Sequence, residues 1–159
     1  MIVHSGYLEK DTLNRDRSYF THLMLLPRAT AADVLKSWNA PEWISDYGTG
    51  KNQTLPSPSE RLPTGSAISD AALKSFLSEE DLGPGGCLAM GVWSDKLKGD
   101  RAGRRLLTAR MLHGVLLALN APNRGRLYVH AEPGLVALLA FAAARLLPPT
   151  LADDLTFTT

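Results

Sequence analysis

The spacing of apolar positions changes several times along this chain, and each change marks an element. Residues 18–26 (Ser-Tyr-Phe-Thr-His-Leu-Met-Leu-Leu) are aromatic and then continuously apolar, the pattern of a strand buried on both faces. Residues 1–8 read as a short strand before it, and Pro27 ends the run. Thr30 then caps a helix, with Asp33 placed to reach back as in a capping box. Ala31, Val34, Leu35 and Trp38 share one face of that helix. A second helix follows the cap Ser69, with Ala72, Leu73, Phe76 and Leu77 on one side. Acids at 79–81 and glycines at 83, 85 and 86 end it, and residues 87–93 read as a third strand.

The second half is more regular. A long helix runs from about Asp100 to Asn120, with Leu106, Leu107, Met111, Leu112, Val115, Leu116 and Leu119 around most of its circumference. Residues 126–130 read as a strand, and Pro133 sits in the first turn of the next helix, where proline is tolerated. That helix has a bulky face (Leu135, Leu138, Leu139, Leu146) suited to a sheet. Its smooth face (Ala137, Ala140, Ala144) suits close approach of another element. Residues 155–159 form a last strand. Strand, helix, strand, helix, strand implies right-handed crossovers and neighbouring parallel strands. The expected fold class is therefore α/β: a mixed sheet with a parallel βαβαβ C-terminal half and covering helices. It forms one domain over residues 1–159.

Composition narrows the classes. A chain of 159 residues with 45% hydrophobic and 21% charged residues is long enough for a core and too apolar for global disorder. A net charge of +1 gives no global attraction to nucleic acid or anionic membrane. The most apolar stretch, residues 135–147, is shorter than the roughly 20 residues a spanning helix needs. The N-terminus lacks the basic and apolar regions of a signal peptide, and the single cysteine, Cys87, cannot form an internal disulfide. A cytoplasmic location is expected. Ending on a strand-like Asp-Leu-Thr-Phe-Thr-Thr, the chain reads as the N-terminal module of a longer protein, with residues 154–159 paired inside the domain.

Candidate chemistry is sparse. Residues 48–52 (Gly-Thr-Gly-Lys-Asn) lack both the upstream glycine and the following Ser/Thr of a phosphate loop, so they read as a turn. The four histidines, His4, His22, His113 and His130, have no metal-ligand spacing. Cys87 reads as a small buried hydrophobe. No catalytic residue and no cofactor are expected. Arg101, Arg104 and Arg105, with Lys96 and Lys98, crowd the start of the long helix, where cations oppose the helix dipole. Local stability does not select them there. They suit an acidic partner surface or a bound anion, against the plainer reading of a solvated turn. Charge reversal at Arg104 is accordingly expected to weaken association and spare the fold. His130 and Glu132 lie at the expected carboxyl end of a parallel strand, where ligand crevices open.

Two segments look familiar together: Asn14-Arg15-Asp16-Arg17-Ser18-Tyr19-Phe20-Thr21-His22, and residues 146–159 from Leu-Leu-Pro-Pro to Phe-Thr-Thr. Their sequence and the order of elements between them resemble the N-terminal domains of bacterial GTPase-associated proteins. These are large multidomain proteins of predicted conflict (defence) systems. The resemblance implies a non-catalytic adaptor that recruits a GTPase or effector and works beside downstream domains of its own chain. The expected contact residues are Arg101, Arg104 and Arg105 with Trp43, Ile44 and Tyr47 of the long 39–65 loop. For the aromatic loop residues the alternative is burial by a loop that folds back. The rival function is a small enzyme or ligand-binding domain for a phosphorylated or otherwise anionic ligand, held by His130, Glu132, Arg101 and Arg104.

Overall fold

The computed structural model describes residues 2–10, 16–24, 29–43, 62–78, 97, 99–122 and 125–157. The proposed strand at 87–93, Cys87, the phosphate-loop-like turn at 48–52, and Ile44 and Tyr47 lie outside these residues. Element order is β1 (Ile2–Lys10), β2 (Asp16–Met24), α1 (Ala31–Lys36), α2 (Asp70–Ser78), α3 (Arg101–Asn120), α4 (Pro133–Leu146) and α5 (Pro149–Ala152).

The expected mixed sheet is not there. Among the described residues the only strands are β1 and β2, an antiparallel hairpin with Gly6 opposite Phe20 and Lys10 opposite Asp16. Both N-terminal strands thus form, but β2 is not buried on both faces: Thr21 is exposed and Leu23 is 49% exposed. Residues 126–130 and 155–157, which the sequence pattern assigns to parallel strands, are not in strands; residues 158–159 lie outside the described residues. The parallel βαβαβ half is therefore overturned, and among the described residues 154–157 the expected strand pairing is absent. A strand needs a hydrogen-bonded neighbour, and β-type residues do not supply one by themselves. The body of the domain is helical.

Local signals for the helices succeed. At α1 the full capping box forms: Asp33 N–H donates to Thr30 Oγ1 at 3.2 Å, and Thr30 N–H donates to Asp33 Oδ2 at 3.2 Å. Ser69 Oγ accepts from the Ala72 backbone N–H at 3.1 Å, just before α2. Asp100 caps α3, accepting from Gly103 N–H at 2.7 Å. Pro133 stands at the start of α4, and Pro149 likewise opens the short α5, which the periodicity does not reveal.

The core forms around α4. Leu135, Leu138, Leu139, Phe141, Ala142 and Ala144 are buried together with Ala31 and Leu35 of α1, Ile68, and Leu73 and Phe76 of α2. On the other flank Ala143 packs with Val115 of α3, Leu147 and Ala152. Leu135, Leu138 and Leu139 of the bulky face are thus buried in a helical core instead of against a sheet, while Leu146 is exposed. The alanines of α4 let the neighbours come close. Residues 62–65 return to α1, where Gly65 N–H donates to Lys36 O at 2.8 Å. A Cβ on Gly65 would collide with Trp38 O, so glycine is required at this approach.

Candidate functional site

Of the basic cluster, Arg104 turns inward, and Lys96 and Lys98 lie outside the described residues. Arg104 is the largest fully buried side chain, with 0% exposure. Its Nε–H donates to Phe76 O at 2.7 Å and its guanidinium Nη1 donates to Leu97 O at 2.8 Å. On the surface beside it, Arg105 Nε–H donates to Leu77 O at 2.9 Å. Phe76 and Leu77 lie in the last turn of α2, where carbonyls have no intrahelical donor. That turn has no basic residue of its own. The two arginines stand at the unfavourable end of α3 because they serve the C-terminal end of α2, where cations are favourable. Arg104 is therefore removed from the expected partner surface: a side chain with no exposure cannot touch a second molecule. Arg101 is half-buried in the same turn.

Trp43 is also interior. It is buried, and its Nε1–H donates to Ser37 O at 2.6 Å. Ser37 in turn donates from Oγ to Val34 O at 2.7 Å, closing the end of α1. Trp43 thus holds the start of the loop against α1, which removes it as a free contact anchor.

His130 and Glu132 are both exposed, before the start of α4. Among the described residues no hydrogen bond or ion pair joins either of them to the other, to Arg101 or to Arg104. The segment that carries His130 folds back along α3. Gly125 N–H donates to Ala118 O at 2.8 Å. The Leu127 methyls lie over Gly114, where an added Cβ would meet them at 3.1 and 3.2 Å. Gly114 is roughly 15 Å along α3 from Arg104, at 1.5 Å rise per residue. Arg104, with no exposure, is not available to a solvent-borne anion beside the exposed His130 and Glu132.

What the structure assembles instead is a groove of about 860 Å³ between α3 and α4. Its helical walls are apolar, with Met111, Val115 and Leu119 from α3 and Val136, Ala137 and Ala140 from α4, and Arg126, His130, Asp154 and Thr156 add polar groups. Residues 125–130 run along it, and residues 154–157 also line it. Leu127, Tyr128 and Val129 are 42%, 83% and 38% exposed, and Phe157 is exposed as well. Sequence reasoning missed this face because it assigned both segments to an internal sheet. The available signal was the apolar-aromatic Leu-Tyr-Val run itself, which needs a covering neighbour wherever it lies. Among the described residues no three His, Cys, Asp or Glu side chains cluster as metal ligands. None of the described helices is long and apolar enough to cross a membrane.

No family model, curated protein or solved structure matches the chain. The two segments from which a resemblance to GTPase-associated N-terminal domains is expected gain no support from these comparisons. One leads into and through most of β2, and the other runs from the end of α4 through α5.

Proposed function

We propose that this domain is a non-catalytic protein-interaction module whose contact face is the 126–130 segment with Phe157, beside the α3–α4 groove. One observation carries the reading: Leu127, Tyr128 and Val129 stand exposed on a segment held to α3 by the Gly125–Ala118 hydrogen bond and by Leu127 against Gly114. Large exposed aromatic and aliphatic side chains on a rigid support are the usual energetic centre of an interface. This reading moves the contact surface from the 96–105 turn, whose Arg104 is internal, to the 126–130 segment alongside α3. The rival reading, an anionic-ligand site, is less favoured because Arg104, one of its four residues, is internal. A GTPase or effector of a bacterial conflict system, and downstream domains of the same chain, are the partner classes to examine first, in the cytoplasm.

The test places a photo-crosslinking amino acid at position 128 or, as a control, at the exposed Leu106 position of α3. A defined protein crosslinked from 128 and not from 106, and lost in Val129→Asp with unchanged melting temperature, supports the reading. Equal crosslinking from both positions overturns it. So does strong hydrogen-exchange protection of amides 127–130 in the isolated monomer, because the chain itself would then cover the face.

A further inference from the structure

We draw no further inference here: the strongest candidate, the apolar groove between α3 and α4 flanked by residues 125–130 and 154–157, belongs to the face already proposed, and nothing in the structure shows what covers it.

Discussion

Arg104 donates its Nε–H to the carbonyl oxygen of Phe76 across 2.7 Å, joining the start of α3 to the end of α2 inside the core. The same guanidinium holds Leu97 O. Truncation leaves two acceptors without this donor, and a buried unpaired carbonyl costs about 1–3 kcal/mol. Arg104→Met should therefore lower the urea midpoint substantially, and Arg104→Glu should prevent folding at ordinary temperature. Arg105→Ala, at an exposed bond, should stay within about 0.5–1 kcal/mol. Wild-type stability in Arg104→Glu would show that the arginine is not buried.

The Thr30–Asp33 capping box closes a helix of only 6 residues. Short helices depend on their caps and their tertiary packing. Thr30→Ala should cost about 1 kcal/mol, within the usual range for loss of an N-cap. Thr30→Asn should recover most of it. Thermal melts of the two variants side by side decide the point.

Overpacking separates two alanines of α4. Ala137 is 1% exposed, whereas Ala140 is half-buried, and both line the groove. Enlarging a packed site costs about 1–3 kcal/mol, while open space absorbs the added methyls. Ala137→Leu should destabilise in that range. Ala140→Leu should be close to neutral and should instead weaken partner capture by filling the groove. Equal destabilisation by both would mean that the groove is closed in solution.

Gly114 makes room for Leu127. Gly114→Ala favours α3 by about 1 kcal/mol, since alanine is the better helix former. The added methyl also pushes the Leu127 side chain away. The expected outcome is little net change in melting temperature with faster hydrogen exchange at amides 126–130. Slower exchange there would contradict the contact.

On the surface, Asp70 accepts from Arg145 Nε at 2.9 Å and faces Lys36 Nζ at 3.6 Å, tying α2 to α4 and α1. All three side chains are partly exposed, and such pairs are worth about 0–1 kcal/mol. Asp70→Asn should cost less than about 1 kcal/mol, and the difference from wild type should shrink in high salt. A larger, salt-independent loss would make the cluster part of the core.

The sequence alone determined what depends on neighbours a few residues apart. Thr30 and Asp33, Ser69, Asp100 and Pro133 mark helix starts because capping is settled within one turn of chain. The antiparallel hairpin partners were legible as strands for the same reason, since their residues suit a pleated surface. Tertiary structure alone decided the rest. Whether 126–130 and 155–157 become strands depends on a hydrogen-bonded neighbour far away in sequence, and their own residues carry no record of one. Arg104 reads from sequence as a surface contact because its partner Phe76 lies on another helix, while Arg105 stays exposed beside Leu77. Their unfavourable position at the start of α3 was visible in the sequence; the α2 carbonyls that justify it were not. Burial of Trp43 and Arg104, and exposure of Tyr128, follow from how α4 gathers the other helices around it, because solvent access is a property of the packed whole.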